Sequence, residues 1–165
     1  TNFLVIIDVQ NGFLSEKTNH IPGKIEQLLN NRNVFNHIVG TQFINVEGSP
    51  YIKLMGWHGL MDENSRKVHS IVLEKCEKIF TKTIYSCFNE EFETYVKDNN
   101  IDKLYFLGIN TDCCVLKSAS DCFERNVPFE VLINYCASTG GIESQEAAVT
   151  VMKRTIGRKA INTEL

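Results

Sequence analysis

The run Gly108-Ile109-Asn110-Thr111-Asp112-Cys113-Cys114-Val115 places a thiol where a strand turns into a helix. The apolar stretch before it, Leu104-Tyr105-Phe106-Leu107, reads as a buried strand, and the pattern from Val115 to Arg125 is helical. A cysteine in the first turn of a helix meets free N–H groups and the positive end of the helix dipole, where a thiol can act as a nucleophile rather than fill a core. With Thr111 as N-cap, Cys114 stands at the third helical position. The dipole alone supplies about 0.3–1 kcal/mol, less than one pKa unit, so a nearby cation must do the rest. Lys82, at the end of the short strand Lys78–Lys82, is the candidate. Asp8, at the end of the apolar run Phe3–Asp8, is a carboxylate that is costly to bury unless it is paired or catalytic. Taken singly, each has a plain structural reading: a core thiol, a lysine reaching for solvent, an aspartate capping a loop. Together they supply a nucleophile, a proton carrier and a fixed cation, which is what acyl transfer at a thiol requires.

The elements that must position these groups alternate along the chain. Strands are expected at Phe3–Asp8, Asn36–Phe43, Lys78–Lys82, Asp102–Leu107, Phe129–Ile133 and near Ala160–Asn162. Helices are expected at Lys24–Asn31, Ser65–Cys76, Asn89–Asp98 (Asn89 as N-cap, acids in the first turn), Asp112–Arg125 and Ser144–Thr155. The stretch Ile44–Glu63, with Gly48-Ser49-Pro50, Gly56 and Gly59, is loop-rich and long enough to be a binding loop or a subunit contact. Alternating strands and helices with short connections imply an α/β fold whose mostly parallel sheet is covered on both faces. Such sheets bind ligands beyond the carboxyl ends of their strands, and Asp8, Lys82 and the Asn110–Cys114 turn all fall there.

Composition bounds the alternatives. The chain has 165 residues, 43% of them hydrophobic and 22% charged, with a formal net charge of -3, which suits one globular domain spanning 1–165. That charge argues against a nucleic-acid or basic membrane-binding role, and no apolar run reaches the length of a membrane span. The opening residues read as a first strand rather than a signal peptide. The six cysteines, Cys76, Cys87, Cys113, Cys114, Cys122 and Cys136, form no CxxC pair, so reduced thiols in a cytoplasm are expected. His20, His37, His58 and His69 are scattered, and none sits at ligand spacing from a cysteine.

Three blocks carry a family resemblance. Asp8-Val9-Gln10-Asn11-Gly12-Phe13, Lys82-Thr83-Ile84-Tyr85-Ser86-Cys87-Phe88 and the Gly108–Val115 run resemble the D-x-Q-x-x-F, K-x-x-x-S-x-F and G-x-x-T-D-x-C-V motifs of the isochorismatase-like cysteine hydrolases, in the family's order. Asn134-Tyr135-Cys136-Ala137-Ser138 stands where that family has a D-A-x-x-S-like segment, with Asn134 in place of the acid. The resemblance implies a three-layer αβα sandwich whose six strands run in the order 3-2-1-4-5-6. It implies Asp8, Lys82 and Cys114 as a catalytic triad, and a cis peptide at Ile109–Asn110 that directs the N–H groups of Asn110 and Cys114 toward a substrate carbonyl as an oxyanion hole. It also singles out Cys114 over Cys113, which lies about 100° away around the helix and should point elsewhere. The implied chemistry is covalent hydrolysis of a small amide-like substrate through a thioester, by a homodimer or homotetramer.

Two departures sharpen that expectation. The nicotinamidase branch of the family carries an Asp-x-His metal motif after the second strand, whereas Thr41-Gln42-Phe43-Ile44-Asn45-Val46 holds neither Asp nor His, so no metal and no other cofactor is expected. Isochorismatases proper cleave a vinyl ether without a nucleophilic thiol, so the cysteine favours C–N bond hydrolysis. Phe13, Trp57, Tyr85 and Phe88 are candidate pocket walls, with Phe43 nearby, and the apolar loop Leu54–Met61 is a candidate lid or interface. Two readings compete with the hydrolase: a non-catalytic binding or assembly protein of the same fold, and a redox protein using the adjacent Cys113-Cys114 pair.

Overall fold

The first strand, β1 (Asn2–Ile7), is almost wholly apolar, and Phe3 through Ile7 are completely buried. A strand of this kind needs cover on both faces and a neighbour on both edges. The computed structural model, which describes residues 1–31 and 34–165, supplies all four. Strand β1 lies between β2 (His37–Phe43) and β4 (Lys103–Ile109). The sheet continues outward through β3 (Lys78–Lys82) on one side, and through β5 (Phe129–Ala137) and β6 (Ile161–Asn162) on the other. The order is therefore β3-β2-β1-β4-β5-β6, and every pairing is parallel.

The principal helices are α1 (Ile21–Asn31), α2 (Pro50–Lys53), α3 (Glu63–Arg66), α4 (Ser70–Lys75), α5 (Glu90–Asp98), α6 (Leu116–Glu124) and α7 (Ile142–Thr155). Helix α1 packs on α4, and α6 on α7. Right-handed crossovers on either side of β1 place these two pairs on opposite faces of the sheet. The strand order reverses at β1 and β4, so the carboxyl ends of those two strands diverge into a crevice.

Several elements differ from the sequence expectation. The helix expected over Ser65–Cys76 is two short ones, α3 and α4, because Val68 leaves the helical path to bridge antiparallel to Gln10. Strand β5 runs on through Asn134 to Ala137, since a bulge lets Gly108 pair with Cys136 where a regular ladder would use Ile133. The turn after β4 is a π-helical segment, Thr111–Val115, leading into α6, and the N-cap is Asn110 rather than Thr111. One glycine is obligatory here. Gly108 has φ +129°, and a Cβ on it would lie 2.2 Å from the Ile7 carbonyl oxygen, so the approach of β4 to the end of β1 excludes any side chain.

Candidate active site

Asp8 follows β1 with φ +48°, a left-handed conformation that turns the chain out of the strand. Lys82 ends β3, and Cys114 lies in the π-helical turn after β4. The fold brings the three together from separate strands. The Lys82 Nζ is 2.9 Å from Asp8 Oδ2, and the two side chains are 1% and 0% exposed. The ammonium donates hydrogen bonds to the carbonyls of Ile84 and Tyr85, each at 2.9 Å, and lies 5.1 Å from the centre of the Phe43 ring. Its contact with Asp8 is close enough for an ion pair but off the line of a hydrogen bond, and among the described residues no hydrogen bond reaches Asp8 Oδ2.

Cys114 is buried against this pair. Burial, then the Asp8 carboxylate, hold its thiol well above the ordinary range, and Lys82 pulls in the opposite direction without prevailing. Burial pulls the Lys82 ammonium down, but Asp8 and Cys114 outweigh it, so Lys82 sits above the usual lysine range and is a permanent cation. Burial thus favours the protonated thiol over the standing thiolate that a helix terminus and a cation suggest, with the Lys82 ammonium beside it. One proton passing from sulfur to carboxylate would leave the number of buried charges unchanged, with Lys82 as counter-ion before and after.

Above the thiol lies a cavity of about 430 Å³. Its walls include Phe13, Phe43, Tyr51, Met55, Trp57 and Tyr85, and its floor holds Asn110, Cys113 and Cys114. Phe13 stacks with Trp57 at 6.1 Å between ring centroids and an interplanar angle of 11°, and Tyr51 meets Tyr85 edge to face at 5.1 Å. Among the described residues, none lining this cavity is acidic or basic. Burial, aided by Tyr85 and Cys114, pushes the Tyr51 phenol up to about 12, so that wall is neutral as well.

Of the expected wall residues, Phe13, Trp57 and Tyr85 line the cavity and Phe88 does not. Phe88 is buried below it, edge to face with Phe92 and under the Arg125 guanidinium. Cys113 does not point elsewhere: the wider π-helical turn carries it to the cavity, half-buried, where burial and Asp112 push its thiol up to about 11. Both residues expected to form the oxyanion hole, Asn110 and Cys114, lie on the floor, and the Ile109–Asn110 peptide bond is cis. The Asn110 side chain accepts the Thr139 N–H at 2.7 Å, and its carbonyl accepts the N–H groups of Cys113 and Val115. The turn is anchored further by Ser138, which donates to Asp112 at 2.7 Å, and by the Thr111 hydroxyl, which donates to Gln145 of α7.

Three supporting residues stand outside the candidate site read from the sequence, although Gln10 is the glutamine of the D-x-Q-x-x-F block. Gln10, fully buried, donates to the carbonyls of Phe43 and Arg66 and accepts the Phe43 N–H, tying the turn after β1 to the end of β2. Asn45 donates to the carbonyls of Trp57 and Gly59 and accepts from Ser49, so it pins the loop that carries Trp57. Tyr51 is placed by α2, whose N-cap Ser49 and first-turn Pro50 are a helix start hidden in an otherwise loop-like stretch. Among the described residues, no group of three or more His, Cys, Asp or Glu is arranged to hold a metal ion.

Residues 2–164 match the model of the isochorismatase domain. The chain belongs to the isochorismatase family. Solved structures of the same fold include an isochorismatase-like hydrolase from Alkaliphilus metalliredigens, 20% identical over 94% of this chain and 92% of that one, with a TM-score of 0.79. Nicotinamidase from Bacillus subtilis is 21% identical, covering 94% of this chain and 96% of its own, with a TM-score of 0.76. N-carbamoylsarcosine amidase from Thermoplasma acidophilum is 20% identical, covering 95% and 93%, with a TM-score of 0.76. A comparison with curated protein sequences found no match. Membership gives this chain the fold of isochorismatase-like hydrolases and leaves its substrate to the residues of the cavity.

Proposed function

We propose that this chain is a cysteine hydrolase of small, uncharged amides, acting through a thioester on Cys114. One observation carries the reading: a buried Asp8–Lys82 ion pair meets the Cys114 thiol beneath an aromatic cavity. With the carbonyl of an amide over the sulfur, Asp8 takes the thiol proton and the sulfur attacks the carbonyl carbon. Lys82 balances the thiolate as it had balanced the carboxylate. The N–H groups of Asn110 and Cys114 stabilise the oxygen of the tetrahedral intermediate. Asp8 returns its proton to the departing nitrogen, the C–N bond breaks, and an acyl-thioester remains. Water, deprotonated by Asp8, then releases the acid and restores the thiol.

The cavity narrows the substrate class. A carboxylate on the substrate would find no cationic partner in the walls, and an ammonium no anionic one. Flat, neutral groups suit walls built of Phe13, Trp57, Tyr51 and Tyr85. Neutral aromatic and alkyl amides are therefore favoured over carbamoyl amino acids and ureido acids.

The test is a panel of nicotinamide, benzamide, simple alkyl amides, carbamoyl amino acids and ureido acids, read by ammonia release, with Cys114→Ala as control. Turnover of neutral amides, lost in Cys114→Ala, together with an acyl adduct on Cys114 by intact mass, supports the reading. Turnover that survives in Cys114→Ala overturns it, as does activity confined to the charged members. A homodimer or homotetramer belongs to the same proposal and is measured by light scattering in solution.

A further inference from the structure

We infer that Thr41 is a positioning residue that fixes which oxygen of Asp8 exchanges the proton with Cys114; this rests on the cysteine-hydrolase reading above. Thr41 lies in β2, fully buried, immediately after Gly40, which pairs with Ile6 of β1. It therefore stands beside the point where β1 gives way to Asp8. Asp8 lies one residue beyond the last β1–β4 pair, Ile7 opposite Gly108, and its left-handed conformation turns its backbone away from the ladder. A buried N–H at such a position needs an acceptor, since leaving it unpaired is costly. The Thr41 hydroxyl oxygen accepts that N–H at 3.1 Å. The same hydroxyl donates its one proton to Asp8 Oδ1 at 2.7 Å.

One hydroxyl thus holds the backbone and the carboxylate of a single residue, and locks the side-chain torsion between them. The consequence falls on the carboxylate's two oxygens. Oδ1 is committed to Thr41, while Oδ2 receives no hydrogen bond from the described residues, faces the Lys82 ammonium, and belongs to the carboxylate against which the Cys114 thiol is buried. Lys82 cannot swing freely to cap Oδ2, because the carbonyls of Ile84 and Tyr85 hold its ammonium. Oδ2 is the oxygen left to accept a proton. In the step assigned to it, the S–H bond of Cys114 breaks, an O–H bond forms at Oδ2, and the negative charge passes from carboxylate to sulfur while Lys82 stays protonated. Without Thr41 the carboxylate can rotate and present either oxygen, and the aligned fraction falls.

The test compares Thr41→Val, which keeps the shape and removes the hydroxyl, with Thr41→Ser, which keeps the hydroxyl. On any amide that the wild type hydrolyses, Thr41→Val should lower kcat by roughly 10–100-fold with KM within about twofold, the pattern of a lost alignment rather than lost binding. Thr41→Ser should restore kcat to within about threefold of wild type. Alkylation of Cys114 by iodoacetamide, itself a small amide, is followed by site-resolved mass spectrometry as a second readout. It should slow in Thr41→Val, recover in Thr41→Ser, and show no further effect of Thr41→Val in an Asp8→Asn background, because two residues acting as a unit are not additive. Thr41→Val that folds and keeps wild-type kcat and alkylation overturns the inference. So does Thr41→Ser as impaired as Thr41→Val, and so does an undiminished Thr41→Val effect in the Asp8→Asn background. If Thr41→Val does not fold, the Thr41→Ser result alone decides, since a role in packing rather than through the hydroxyl would leave that variant impaired. If the wild type hydrolyses no amide, the proposed reaction fails while the alkylation series still decides the role of Thr41.

Discussion

Replacing Lys82 by methionine isolates the energetics of the buried ion pair. The substitution keeps the aliphatic volume beneath Phe43 and deletes the ammonium, leaving the Asp8 carboxylate buried with only Thr41 to hold it. At 2.9 Å the attraction is about 6 kcal/mol for an effective dielectric constant near 20. Part of this is offset because the ammonium no longer has to be stripped of water. Breaking a buried pair on one side costs about 3–5 kcal/mol, and that is the loss expected here, a large share of the 5–15 kcal/mol that typically stabilises a domain. With a urea slope of about 2 kcal/mol/M, the midpoint should fall by roughly 1.5–2.5 M. Equilibrium unfolding at pH 7, followed by circular dichroism and by the fluorescence of the lone tryptophan, Trp57, measures it. Adding Asp8→Asn should return about half of the loss, because a neutral amide needs no counter-charge, while the carbonyls of Ile84 and Tyr85 remain without their donor. A Lys82→Met protein within about 1 kcal/mol of wild type would refute the reasoning, as would a double variant no more stable than the single one.

Further predictions follow from other features. Burial pushes the thiols of Cys87 and Cys136 up to about 12, so they keep their protons when folded and lose them near 9 when unfolded. Their contribution is intact below pH 9 and is lost as pH rises toward 12, at about 1.4 kcal/mol per pH unit for each thiol; urea midpoints between pH 9 and 11 should show it, with Cys136→Ala removing one share of the slope. Trp57→Ala removes the stacking with Phe13 and should raise KM by roughly 2–12-fold with a smaller change in kcat, measured on the best neutral amide of the panel. Gly108→Ala forces a Cβ into the Ile7 carbonyl and should cost more than about 3 kcal/mol or abolish soluble protein. Gly23→Ala, in α1 with open space around the added methyl, should stabilise by about 0.5–1 kcal/mol, read in the same unfolding assay.

The strands and the convergence of Asp8, Lys82 and Cys114 rest on local signals, whereas the sheet order came with the family resemblance of the three blocks. Apolar runs mark β1 and β4, and Asp8, Lys82 and Cys114 are polar exceptions at strand ends, where an α/β sheet keeps its chemistry. The features that escaped are those set by tertiary geometry. Nothing local to Val68 announces its bridge to Gln10, which divides one helix into two. Asn134 ends an apolar run, and only the bulge against Gly108 lets β5 continue past it. Cys113 would lie about 100° from Cys114 around an α-helix, but the turn is π-helical and carries Cys113 to the cavity. Phe88 sits near the site in sequence but faces inward, because Ser86 and the start of α5 direct that loop back into the core. Thr41 is a threonine in a strand, an unremarked choice until its hydroxyl is seen to touch the same residue twice. The degree of burial of Cys114, which with Asp8 opposes the helix terminus and Lys82 at the thiol, is likewise set by tertiary packing.

The central place of β1 carries a consequence for how the chain is made. Its two partners are far apart in synthesis: β2 ends at Phe43, and β4 begins at Lys103. At ribosomal speeds of about 5–20 residues per second, roughly 60 residues separate them, so one edge of an almost wholly apolar strand waits about 3–12 s for its cover. During that interval Asp8 and Lys82 can both be present without the turn that bears Cys114, and the exposed edge of Asn2–Ile7 is an open template for another chain. The arrangement that buries Asp8 and Lys82 in the finished protein makes the nascent one dependent on prompt delivery of β4.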